Sequence, residues 1–171
     1  MMKDTTANPK QVHLRQLVDW HAAIISGLIG GGISLLTNIL ISWRVLGSPW
    51  LFVRIIASLA LGKGVLPPPD DFSLSVLLAA LGIHLVLSVI YALLIAAVVH
   101  QWGMIISFLG GALMGLAFYA INFYAFTFLF PWFYAFRGWI FLVMYILLGA
   151  FAGSVYELLE VERYTPIEEA K

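Results

Sequence analysis

His84 and Ser88 lie one helical turn apart, with Tyr91 on the same face, inside a long apolar run. Ionisable side chains at membrane depth are rare and stand as functional candidates by default. Asn38 and Asn122 lie about two turns before two Pro-Trp pairs, and His84 lies about 15 Å in from that same side. Similar depth makes Asn38, His84, Ser88, Tyr91 and Asn122 one candidate intramembrane polar cluster, a pocket for an ion, a proton or a small ligand. Packing supplies the plainer account. Asn and Ser add interhelical hydrogen bonds of about 0.6–2 kcal/mol, and a neutral imidazole bonded to Asn or Tyr needs no chemistry.

Other chemistry finds less support. His21 opens the first apolar block and His100 closes the second, which permits a bis-histidine haem or metal site or simply two wet anchors. No metal or cofactor is expected. Ser88 and His84 share a face without forming a triad, and no G-x-S-x-G or H-E-x-x-H pattern is present. The span interiors hold no paired carboxylates, and no glycine-rich phosphate loop follows a strand. Cysteine is absent, which excludes disulfides, thiolate metal sites and cysteine catalysis. The expectation is a protein without catalytic residues.

The elements that carry these side chains are membrane helices. The chain is 62% hydrophobic and 11% charged, and a soluble domain carries roughly twice that charge. Four blocks are long enough to span a bilayer: Ala22–Trp43, Leu74–Val99, Met104–Phe130 and Trp139–Leu159. They do not alternate as barrel strands would, and hydrocarbon leaves helices as the remaining solution. The fold class is all-α, a four-helix transmembrane domain over residues 21–159. Polar tails flank it at 1–20 and 160–171, and His13 to His21 can form a short amphipathic run.

Several features punctuate the spans. Ser48-Pro49 ends the first. Residues 51–61 are apolar but too short to cross, with Arg54 and Ser58 on one edge, and read as an interfacial helix with that edge towards water. A re-entrant dip is the sharper alternative. Leu66-Pro67-Pro68-Pro69-Asp70-Asp71 reads as a stiff extended connector, with Asp71 or Ser73 capping the second span. Trp50, Arg54, Trp132 and Arg137 are the interfacial anchors. None of the spans looks unwound, and the last runs through Glu157, Glu160 and Glu162 into water, stopped by Thr165-Pro166.

Small residues suggest a doubled unit. Gly27, Gly31 and Asn38 match Gly111, Gly115 and Asn122, and each set precedes Pro-Trp and an arginine. These glycines, with Gly149 and Gly153, are the candidate helix-packing positions. Aligning Ser88-Val89-Ile90-Tyr91 with Gly153-Ser154-Val155-Tyr156 completes the repeat and predicts Asn38 and Asn122 as mates in the interior. Only the first half carries the 51–71 insertion and a buried histidine.

Gly47-Ser48-Pro49-Trp50, Arg54-Ile55-Ile56-Ala57 and Leu61 to Pro69, continuing through His84, Ser88 to Tyr91, Asn122-Phe123-Tyr124 and Phe130 to Phe133, resemble a group of small bacterial membrane proteins of unknown function. The resemblance covers roughly residues 22–156. That group is sometimes labelled sodium:proline symporter, but such symporters need many more helices and broken spans. Its last span often carries a histidine near Tyr145, so a paired-histidine role for His84 is weakened in this chain. The resemblance implies fold rather than activity.

Function and placement follow as expectations. The lead is a non-enzymatic accessory or structural subunit, packed against other membrane subunits or itself, in the bacterial inner membrane. The alternative is a small oligomeric ion or proton transporter with a polar route near His84. The zero net charge points to no nucleic acid. The terminal side carries one more Lys or Arg than the opposite side, which favours cytoplasmic termini. The first block is too long, and lacks the small-residue pattern, for a cleavable signal.

Overall fold

The computed structural model describes residues 14–69 and 71–166. The order is β1 (Leu14–Leu17), α1 (Trp20–Leu46), α2 (Trp50–Leu61), α3 (Leu74–Val99), α4 (Met104–Ala120), α5 (Trp139–Leu159) and β2 (Arg163–Pro166). Four of the helical stretches are long and apolar enough to cross a membrane: Trp20–Leu46, Leu74–Val99, Met104–Phe128 and Trp139–Leu159. The fold is all-α, as the composition requires.

Two antiparallel hairpins build the bundle, α1 with α3 and α4 with α5. Lipid tails are as apolar as leucine, so membrane helices associate through close packing rather than through hydrophobic transfer. Glycines set that closeness. A β-carbon on Gly149 would stand 2.8 Å from the Gly115 Cα, and one on Gly111 or Gly153 would fall within the facing backbone at Gly149 or Ser107. In the other hairpin a β-carbon on Gly27 would meet the Val89 Cα at 2.8 Å, and one on Gly31 would meet Ser88 at 2.7 Å. The contacts pair Gly31 with Ser88 and Gly115 with Gly149.

Helix α2 departs from the sequence expectation. Phe52 to Ser58 are all buried against the rest of the protein, so Arg54 and Ser58 do not form a wet polar edge. Ser42 on α1 joins it by accepting from the Phe52 N–H at 3.3 Å and donating to the Ser48 carbonyl at 2.7 Å. The first helix ends at Leu46, where Gly47 takes the left-handed φ of 83° that a side chain would oppose. Arg54 is buried, and its guanidinium donates to the Val65 and Asp71 carbonyls and the Asp71 carboxylate. It clasps the α2–α3 connection. Asp71 thus serves Arg54 rather than capping α3, and the Ser73 hydroxyl meets Ser75 at 3.1 Å and makes no cap bond. Both Pro-Pro bonds in that connection are cis.

The third span also differs. Its α-helix stops at Ala120, followed by a π-helical turn over Ile121–Ala125 and a 3₁₀ turn over Phe126–Phe128. A second 3₁₀ stretch, Pro131–Phe136, leads to α5. The span is not uniformly wound, and the irregular stretch carries Asn122.

The tail expectations divide. His13 lies outside the described residues, and residues 14–17 of the expected amphipathic run form a strand paired antiparallel with β2 from Leu14↔Pro166 to Leu17↔Arg163. Helix α5 ends at Leu159 rather than at Thr165-Pro166, and Glu157 is engaged by the buried Ser107 hydroxyl at 2.8 Å. Asp19 ties the termini together. Its carboxylate accepts from the His21 and Ala22 N–H groups at the start of α1 and from Val161 N–H at 3.2 Å. The Ala22 hydrogen bond leads in holding Asp19 below its ordinary 3.8. Desolvation pushes Glu160 the other way, above the usual carboxylate range, although Gln16 donates to it at 3.1 Å.

Two outcomes follow from this packing. Gly149→Ala should lower the thermal stability of detergent-solubilised protein by about 1–3 kcal/mol. Gly32→Ala, where a β-carbon meets nothing within 4 Å, should change it by less than ~0.5 kcal/mol. Acidification should open the terminal clasp at Asp19. A depressed folded value means its contribution is complete above about pH 4 and lost as pH falls through that folded value. Hydrogen exchange at the Val161 amide checks this, and protection unchanged on acidification contradicts it. Glu160, being raised, contributes in the opposite sense and loses its contribution as pH rises.

Candidate functional site

The polar face of α3 looks into the space between the hairpins, but its members are held differently. Ser88 donates back to the His84 carbonyl at 2.8 Å, a bond within its own helix. The His84 Nε2 lies 3.2 Å from the Gly31 carbonyl on α1. A carbonyl only accepts, so Nε2 carries the hydrogen and donates across the first hairpin. Phe52 from α2 meets the imidazole edge-on at 6.0 Å.

Tyr91 crosses between hairpins. Its hydroxyl donates to Asn122 Oδ1 at 2.6 Å, and Asn122 Nδ2 donates to the Tyr145 hydroxyl at 3.0 Å. The Tyr91 ring stacks on Phe118 at 4.0 Å and 11°. One amide therefore joins α3, the π-helical turn and α5. Helical turns of this type leave the regular i to i−4 ladder locally, and they occur frequently at functional sites.

Asn38 is not part of this arrangement. It is buried, and its Nδ2 donates to the Ser34 carbonyl at 2.8 Å and the Ser34 hydroxyl at 3.2 Å on its own helix. The expected Asn38–Asn122 pairing does not form. Both asparagines face inward, but a straight helix lets one bond to its preceding turn, while the π turn turns the other towards two tyrosines.

Arg137 supports that turn. Its Nε donates to the Phe123 carbonyl and its terminal nitrogen to the Thr127 hydroxyl at 2.6 Å. Tyr124 and Tyr134 hold the guanidinium between them, at 4.3 and 4.7 Å from the ring centroids. Trp132 donates to the buried Ser58 hydroxyl at 2.8 Å, and Trp50 packs on Phe72 at 5.1 Å. With Arg54 on Val65 and Asp71, all four expected anchors thus make specific contacts within the chain. His100 is likewise committed: Nδ1 donates to the Ala97 carbonyl at 3.2 Å and Nε2 accepts from Gln101.

The functional residue missing from the sequence cluster is Tyr145. Tyr145 stands four residues before Gly149 and eight before Gly153, so helical spacing puts it on the inner face of α5, but no residue type marks its hydroxyl as the second partner of Asn122. A cavity of about 110 Å³ lies beside these groups, lined by all five helices. His84, Ser88, Tyr91, Asn122 and Tyr145 border it, and the remaining wall is mostly apolar. Among the described residues every buried side-chain nitrogen and oxygen has a partner. The site is a neutral hydrogen-bonded relay on the edge of an apolar space.

A double-mutant cycle tests the relay. Asn122→Ala and Tyr145→Phe should couple by about 1 kcal/mol in thermal stability. Asn38→Ala should show no coupling to Tyr145→Phe, and equal coupling for both asparagines contradicts the arrangement.

No protein-family model matches the chain, and neither the curated proteins nor the solved structures contain a significant match.

Proposed function

We propose that the protein is a non-enzymatic component of the bacterial cytoplasmic membrane, with both termini in the cytoplasm, that packs as an accessory subunit against other membrane proteins. One observation carries this reading: the polar groups of the interior are matched within the chain, while bulky apolar side chains cover the outside. Ile105, Leu113, Phe128, Leu129 and Trp139 are among the most exposed. Such a surface suits lipid and neighbouring helices alike, and among the described residues the interior holds no paired carboxylates for hydrolysis. The scaffold itself we read as one hairpin used twice. In support, Gly27 meets Ser88, Val89 and Ala92 while Gly111 meets Gly149, Ala150 and Gly153, which aligns His84 with Tyr145.

A second reading, a small ion or proton transporter with its route near His84, rests on that titratable imidazole at the cavity wall, although no charged side chain lines the cavity to hold a bare ion. One preparation separates the two. Purification in mild detergent should recover stoichiometric partner subunits, and a monodisperse homo-oligomer without partners contradicts the accessory role. The transport reading instead requires proteoliposome flux that disappears in His84→Ala.

A further inference from the structure

We propose that the cavity between the hairpins is a binding site for a small, neutral, single-ring lipophilic molecule carrying a carbonyl-type hydrogen-bond acceptor. This inference stands apart from the accessory reading and rests on the cavity and the donors beside it.

Size comes first. A space of about 110 Å³ is of the order that admits one benzene-like ring. It is well below the roughly 300–1,000 Å³ of sites for drug-sized ligands, so a whole lipid or a long-chain cofactor does not fit. The wall is largely aliphatic and aromatic, including Phe52, Phe118, Leu148 and Ala152, and no charged side chain lines it. An ion would find no counter-charge there, whereas an apolar body would lose nothing on entry from lipid.

The relay then sets the polar end. Tyr91, Asn122 and Tyr145 all line the cavity and are joined by two hydrogen bonds. An amide offers one oxygen and one nitrogen, so one tyrosine donates to it and the other accepts from it. The accepting tyrosine, Tyr145 in the present orientation, keeps its own O–H hydrogen uncommitted. Turning the amide over moves the free hydrogen to Tyr91 but does not remove it. One phenolic O–H hydrogen therefore always lacks an acceptor within the relay. Meeting it with a carbonyl oxygen completes the relay without moving any charge.

The test uses para-fluoroacetophenone, a ring with a carbonyl, against para-fluorotoluene, the same ring without one. Each is titrated into the full chain in lipid nanodiscs and read by fluorine NMR, with empty nanodiscs as the reference for partitioning. Saturable binding of the ketone, about fivefold tighter than the toluene, is the expected result. The Tyr91→Phe/Tyr145→Phe double variant should lose that preference, and Ala152→Leu, which fills the cavity, should abolish saturable binding of both. Absence of saturable binding to wild-type protein, or equal affinity for the two probes, overturns the proposal. The wild-type comparison needs no variant to fold. Retention of the preference in the double variant also overturns it, because the donor would then lie elsewhere.

Discussion

The close approach of backbones at Gly111, Gly115, Gly149 and Gly153 is the contact on which the second hairpin depends. In hydrocarbon, burying an apolar side chain against another helix gains little over burying it in lipid. What remains is dispersion between surfaces that fit, and that term falls steeply with any gap. Removing β-carbons at four facing positions brings α4 and α5 together along their inner faces. The Ser107 hydroxyl, reaching Glu157 at 2.8 Å, adds a polar tie where α4 begins and α5 ends. The first hairpin uses the same device in a looser form, with Gly27 and Gly31 against Ser88, Val89 and Ala92.

Tight hairpins leave their mutual interface to be built by other means. Between them lie a cavity and one continuous polar connection, from Tyr91 through Asn122 to Tyr145. That connection needs the π turn at Ile121–Ala125, which re-aims Asn122. A π turn inside a bilayer disturbs the backbone ladder, and each freed carbonyl needs a donor. Arg137 supplies one to Phe123 from the far end of the loop. Arg54 plays the same part for the Val65 and Asp71 carbonyls in the first half. Both arginines follow a Pro-Trp pair, and both act through planar, multiply donating guanidinium groups rather than as free surface charges.

Much of the fold was legible because it follows from solvent. The last span, Trp139–Leu159, and the second, Leu74–Val99, match their apolar blocks to the residue, since nothing inside them competes with helix. The glycine stripes were legible for the same reason: spacing of four on a helix defines a face. Helix α2 was misread because Arg54 and Ser58 look like a wet edge when burial is judged from composition alone. Their partners, Asp71 and Trp132, come from distant parts of the chain, and tertiary contact overrode local pattern. The π turn carries no composition signal, as Ile121-Asn122-Phe123-Tyr124-Ala125 would serve equally in an α-helix. Tyr145 was visible as an inner-face residue, but its partner depended on that turn. Of the candidate cluster, His84, Ser88, Tyr91 and Asn122 do border one cavity, whereas Asn38 satisfies itself.

The central claim is that one asparagine amide joins the two hairpins through the Tyr91 hydroxyl while holding Tyr145 of its own hairpin. Solid-state NMR of the protein in bilayers, with asparagine and tyrosine isotopically labelled, measures this directly. Contacts from the Asn122 side-chain amide to the ring Cζ of both Tyr91 and Tyr145 are the result this account predicts. An Asn122 amide that contacts Asn38, or only one of the two tyrosine rings, would contradict it.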